Sequence, residues 1–379
     1  MTYTGILNVR DFGATGNGQT DDAPAIQKAL DTAEVGETVL IPPGEYAIGT
    51  RLRVHTTDIA LEGRGILTPA EGFSDFLIEV GRSREDRENR DLYHSSHYEV
   101  PRVRFKGLRL YGKHQCRGLY VCHADHFIFE DLYIEGTLGS AVRCQSVRVG
   151  TFNELKIIRC DGNGETLLDL VQRSAEPDPS GGTWHMGPGM SDGGNVIRFN
   201  ALVVSFSVAE TFIDIGAEDL STPYINGNVR GVYINGAQIH TFRPHWSKKT
   251  AEAKGQPIDP KGEYAGHYLW DIYDFKIPEK MTLIRIREAS RVVFNQCNIP
   301  GGQALPLQLG EAGRPARDCT FTACMIGEEH TTPAIQADNC ENIQLVGCWF
   351  AQNIFGQETH HRNRTDIVHG GCADEVSFT

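Results

Sequence analysis

FEDLYI at 129–134 and FNELKI at 152–157 decide how this chain is read. Each is a bulky apolar residue, two variable residues, a small or apolar residue, one variable residue, then an aliphatic or aromatic one. The same pattern recurs at Phe105 to Leu110, Phe199 to Val204, Ile234 to Ile239, Phe294 to Ile299, Phe321 to Ile326 and Leu345 to Phe350. Successive starts lie 24, 23, 47, 35, 60, 27 and 24 residues apart, so the short step is one unit and the three long steps carry inserts. A fixed short period of β-rich units signals a solenoid. Stacked coils then place equivalent residues in straight ladders about 4.8 Å apart.

Each coil also carries an earlier strand: residues 76–80, 118–122, 141–145, 167–171, 212–216, 283–287, 306–310 and 334–338. Strand alternation sends their aliphatic members inward and every second residue outward. In register, one outward column reads Glu79, Tyr120, Arg143, Asp169, Asp214, Arg285, Gln308, Gln336. Its two aspartates come from near-duplicate segments, GETLLDLV at 164–171 and AETFIDIG at 209–216, which predicts adjacent rungs. A second column, Asn153, Asn200, Asn235 and Asn295, predicts a hydrogen-bonded stack at a turn.

Hydrophobic content of 40% with 41 Gly and 17 Pro suits an ordered, turn-rich protein. No apolar run approaches the ~20 residues of a bilayer span, so no membrane partner is expected. Net charge of −13 weighs against nucleic acid and leans the expected ligand toward a neutral one. Of the 10 cysteines, Cys297, Cys324 and Cys348 share one inward position of three late coils and are expected as buried thiols rather than bridges. The start, Met1 to Leu7, shows no basic segment leading into an apolar one. The expectation is a chain without a secretory signal, cytoplasmic as synthesised or carried out as a virion component.

The stretch before the repeats, NVRDFGATGNGQTDDAPAIQKAL at 8–30, predicts a helix capped by Asp21 or Asp22. Ala25, Ile26, Ala29 and Leu30 would form its apolar face and plug the open end of the solenoid. Gly13, Gly16 and Gly18 read as a turn, because no GxGxxG or GK[ST] joins a strand to a helix there. Together with VLIPPGEYAIG at 39–49, this stretch resembles the cap and first coil of the pectate-lyase superfamily, the single-stranded right-handed parallel β-helix proteins. That group includes phage tailspike depolymerases, pectin-degrading enzymes, alginate epimerases and inulin fructotransferases. The resemblance implies an all-β fold, a right-handed parallel β-helix of about ten coils with an N-terminal capping helix: a cap over 1–36 and the helix proper over 37–379. It also implies a poly- or oligosaccharide partner and side-by-side assembly as a homotrimer. The family's individual catalytic motifs are missing: no DPHE, no Asn-Thr-Asp with Asp-Asp and Gly-His-Gly, and no stacked acidic triple for calcium. No metal site and no cofactor are therefore expected.

Two carboxylates on adjacent rungs repel, so one is expected to keep its proton while flanking arginines hold the other ionised, an acid and a base or nucleophile for acetal cleavage. Asp214 and Asp169 are the expected catalytic pair, with Glu218 and Asp219 as alternative acids. Arg143, Arg285 and Tyr120 of the column are substrate-binding candidates. Trp184 and His185, in the glycine-rich insert 172–194, and Trp270, in the insert 242–281, join them, because aromatic faces suit sugar rings. Further inserts are read at 81–99 and 217–229. His360 and His361, without companion ligands, read as a solvated turn. Three functions follow: glycosidic cleavage or transfer, lyase β-elimination on a uronate glycan, or a non-catalytic glycan-binding virion or structural role with the column a mere salt ladder.

Overall fold

The openings of the repeated pattern become one ladder. Phe105, Phe129, Phe152, Phe199, Ile234, Phe294, Phe321 and Leu345 pair rung to rung in parallel strands and are buried in the core. Rings on neighbouring coils lie face to face: Phe152 and Phe199 have centroids 4.7 Å apart at 6°, Phe294 and Phe321 5.0 Å apart at 7°. Two residues after each opening the backbone turns left-handed, at Gly107, Asp131, Glu154, Ala201, Gly236, Gln296, Ala323 and Gly347. Five of these carry a Cβ that disfavours such a turn, so something must hold it. The asparagine column does part of this, since each asparagine immediately precedes a bend. Asn200 donates to Asn153 at 2.8 Å, Asn235 to Asn200 at 3.0 Å and Asn295 to Asn235 at 2.9 Å.

The computed structural model describes residues 5–81, 100–122, 124–145, 147, 149–172, 196–217, 229–241, 278–300, 304–327, 333–350 and 367–379. Among them, the earlier strands of the coils form a sheet of 10 strands running from Leu52–Val54 to Val368–His369, each paired with the next coil. The second and third strands of each coil share a larger sheet that folds at the left-handed bends. The pairings are parallel, and the result is a right-handed parallel β-helix with one apolar interior. The terminal strands 52–54 and 368–369 extend the expected series by a rung at each end.

The cap is already part of the spiral, because Gly5–Asn8 pairs with Glu37–Ile41 and Asn17–Asp21 with Glu45–Ile48. Helix Ala23–Thr32 buries Ala23, Ile26, Ala29 and Leu30 against the first coils, with Ala25 only half-buried. Of the two capping candidates Asp22 holds the N-cap position but makes no cap bond with its side chain; the helix donor Ala23 N goes to Asp21 Oδ1 at 3.1 Å, which also accepts from Gly49 N at 2.8 Å. Asp22 instead folds back to accept from Thr15 N and Gly16 N, closing the turn in which Gly13, Gly16 and Gly18 take positive φ. All ten cysteines are free thiols; Cys297 and Cys324 are buried and Cys348 half-buried. Burial pushes the thiols of Cys116 and Cys319 up to about 12, so they stay protonated and inert.

The inserts leave from identifiable places. Three run on from the carboxyl ends of first-sheet strands, after Gly81, Gln172 and Ala217. The fourth leaves after Thr241 and returns ahead of strand Thr282–Arg287, at the amino end of that sheet.

Candidate functional site

The outward column of the first sheet assembles rung by rung. Arg53 pairs with Glu79, then Tyr120, Arg143, Asp169, Asp214, Arg285, Gln308, Gln336 and His369 follow in unbroken register. Asp169 and Asp214 are direct neighbours, and Ile213, Ile215, Leu168 and Leu170 on the opposite face fill the core. The duplicate segments thus bring the two carboxylates together because each alternates in the same phase on successive coils.

Their surroundings differ from a simple exposed pair. Asp214 Oδ2 accepts from Arg285 Nη2 at 2.6 Å and Arg287 Nη2 at 2.8 Å, and Oδ1 accepts from Arg287 Nε at 3.2 Å. Asp169 Oδ2 accepts from Arg143 Nε at 3.0 Å. The carboxylates are nearly inaccessible, 4% exposed for Asp169 and 2% for Asp214. The expectation of an outward, solvent-facing pair is therefore corrected: both acids are buried in contact with arginine, and a charge leaves water only with such a partner.

Arg287 reaches Asp214 by lying back over Gly216, its rung neighbour. A Cβ at Gly216 would collide with the Arg287 carbonyl oxygen and come within 2.8 Å of its Cγ. Arg287 Nη1 also donates to Glu311 at 3.2 Å. Burial alone would lower the Arg287 pKa, but Asp214 and Glu311 outweigh it and raise it. Sequence reasoning passed over this residue. Two signals were legible: Arg287 has the outward phase of Arg285, and the twin segments differ where Val171 is replaced by Gly216, a mark of close backbone approach.

Toward the cap the column is equally engaged. Tyr120 donates to Gln145 Oε1 at 2.6 Å and stacks on Phe76, with ring centroids 5.2 Å apart. The guanidiniums of Arg117 and Arg143 lie over the same Phe76 ring. Glu79 is fully buried; burial pushes its pKa up, but His55 and Arg51 outweigh that and leave it lowered. Glu165 binds Arg117 and accepts from Ser140 N at 3.0 Å and Ser140 Oγ at 2.9 Å. These contacts make the half from Arg51 to Arg143 a network of alternating charge. The candidates Trp184, His185, Glu218, Asp219 and Trp270 lie outside the described residues, as do His360 and His361. Among the described residues, no group of three or more His, Cys, Asp or Glu is arranged to hold a metal ion.

Residues 6–84 match the family model described as rhamnogalacturonase A/epimerase, pectate lyase-like. Over 46 residues the chain is 52% identical to mannuronan C5-epimerase AlgE3 of Azotobacter vinelandii, a match covering 12% of this chain and 2% of that protein. Over 79 residues it is 38% identical to the probable rhamnogalacturonase A of Aspergillus oryzae, covering 20% of this chain and 17% of the relative. The similarity to these relatives thus spans less than a fifth of their length. A solved mutant of DFA-IIIase from Arthrobacter chlorophenolicus A6, in complex with DFA-III, superposes with a TM-score of 0.52 at 10% identity, covering 91% of this chain and 76% of that one. At that identity the likeness is one of fold.

Proposed function

The chain belongs to the pectin-lyase-like superfamily of right-handed parallel β-helix proteins, and from that premise we propose that it is a carbohydrate-active enzyme that cleaves or transfers glycosidic bonds of a poly- or oligosaccharide. The observation that carries this reading is the direct pairing of Asp169 with Asp214 on the outer face of the first sheet, at strands that run straight on into inserts. In this reading a rung spacing of about 5 Å matches the carboxyl separation of a retaining pair. A sugar hydroxyl draws the Arg143 guanidinium off Asp169 and onto itself. That frees one carboxyl to serve as nucleophile while its neighbour moves the proton at the leaving oxygen.

The test is turnover of a panel of polysaccharides by Asp169→Asn and Asp214→Asn, read by release of reducing ends. Each substitution is expected to lower kcat by about 10²–10⁴-fold. Asp214→Asn also leaves two guanidiniums short of a counter-charge and costs stability, on the order of 3 kcal/mol, so rates are compared well below both melting midpoints. Unchanged turnover by Asp169→Asn, which breaks the smaller contact, rejects the pair.

A second reading is supported by the three guanidiniums that bind the two acids, those of Arg143, Arg285 and Arg287. Three cations suit a uronate carboxylate that must be neutralised before a base removes the adjacent proton. An unsaturated, ultraviolet-absorbing product without a matching hydrolytic one selects that lyase chemistry. Glycan binding with no product of either kind selects a non-catalytic role. Homotrimeric assembly belongs to the same proposal and is checked by sedimentation, where a monomer alone rejects it.

A further inference from the structure

Asp58, Arg102 and His126 take one turn position in three successive coils, each three residues ahead of the paired Leu61, Phe105 and Phe129. All three are left-handed, at φ 56°, 65° and 55°. The strands that follow present Arg104, Ile128 and Thr151, paired rung to rung, on the outer face of the second sheet. With Phe127 and Val149 these residues line a groove of about 280 Å³. It belongs to a different sheet from the Asp169–Asp214 column.

The chemistry of the lining is specific. Asp58 Oδ1 lies 2.7 Å from Arg102 Nε, and the Arg102 side chain is 53% exposed against 7% for Asp58. Holding a guanidinium by Nε fixes its plane and leaves the edge formed by its two terminal nitrogens for a second acceptor, the geometry that takes a carboxylate in bidentate fashion. Arg104 and His126, both exposed, stand on the same rim. Half-buried Ile128 and Val149 add an apolar surface to the groove, which matches the apolar face of a pyranose ring. The volume falls just under that of sites for drug-sized ligands, the size for a short piece of glycan. Two arginines against one aspartate give this lining a net positive charge in a chain whose net charge is −13.

We propose that this groove binds a carboxylate-bearing sugar unit of an acidic glycan, Arg102 and Arg104 taking the carboxylate while Ile128 and Val149 support the ring. The site needs neither Asp169 nor Asp214 and makes the ligand of this face anionic, where total charge alone argued for a neutral one.

The experiment is calorimetric titration with short oligomers of galacturonate, mannuronate and glucuronate, each beside its carboxyl-reduced neutral counterpart. At least one acidic oligomer is expected to bind about ten-fold tighter than its neutral partner. Arg104→Gln and Arg102→Gln should each erase that preference, and Asp169→Asn should leave it intact. Arg102→Gln strips Asp58 of its partner, so if that variant fails to fold, Arg104→Gln, on an exposed strand position, decides alone. The proposal is overturned if no acidic oligomer outbinds its neutral counterpart or if the preference survives Arg104→Gln. Loss of the preference in Asp169→Asn overturns it too, by assigning carboxylate recognition to the first sheet. Failure of the catalytic reading shows in turnover, not in this binding preference, so the two fail separately.

Discussion

Glu165 illustrates how a single carboxylate acquires its character on this surface. Burial pushes its pKa up, but the guanidinium of Arg117 and the two donors of Ser140 outweigh that and bring it down from 4.5 to about 2. A carboxylate whose folded pKa lies below its unfolded value stabilises the fold fully above pH 4.5 and loses that contribution as pH falls toward 2. With the side chain 23% exposed, the contribution at neutral pH is at most about 3 kcal/mol. Glu165→Gln is therefore expected to be less stable than the parent at pH 7 and to converge with it near pH 2 in denaturant titrations; a gap that stays constant with pH contradicts the assignment. The same competition explains why alternation predicted the positions of Asp169 and Asp214 but not their concealment. Position follows from the phase of a strand, whereas burial depends on where long side chains of neighbouring coils come to rest.

Among the elements, the bend after each repeated opening shows how local strain and ladder bonding balance. Glu154, Ala201 and Gln296 adopt a left-handed backbone that their side chains disfavour, and the asparagine just before each bend ties one coil to the next. Asn235 both donates to Asn200 and accepts from Asn295, whereas Asn295 donates to Asn235 at the last of these steps. Asn235→Ala should thus cost more than Asn295→Ala, about 2 kcal/mol against about 1, as a lower melting midpoint. Equal losses would mean that the ladder does not act as a chain. The asparagine column was readable from its spacing. The left-handed bend was hidden, because the position after the asparagine is occupied by Glu, Ala, Gly and Gln in different coils and shows no residue preference to read.

For the molecule as a whole, one continuous interior means that its ends must be closed. Helix Ala23–Thr32 does this at one end through Ile26 and Leu30, both essentially without exposure. Ile26→Asp would bury an unpaired charge against the first coil, at a cost on the order of 3 kcal/mol or more. It should lower the yield of soluble protein, because the terminal strands become open edges. Lys28→Asp, on the exposed side of the same helix, should be silent. Equal solubility of the two variants would show that the cap is dispensable.

Periodicity along the chain was sufficient to establish the coil, its inward and outward faces, the asparagine stack and the adjacency of Asp169 with Asp214, since each is set by spacing and strand alternation between successive turns of a regular spiral. Three features lay beyond it: the ion pairs that Arg285 and Arg287 make with Asp214, the passage of Arg287 across Gly216, and the groove gathered from Asp58, Arg102, Arg104 and His126. These arise where flexible side chains from different coils compete for the same space and the same partner, and that competition is resolved only when the coils are stacked.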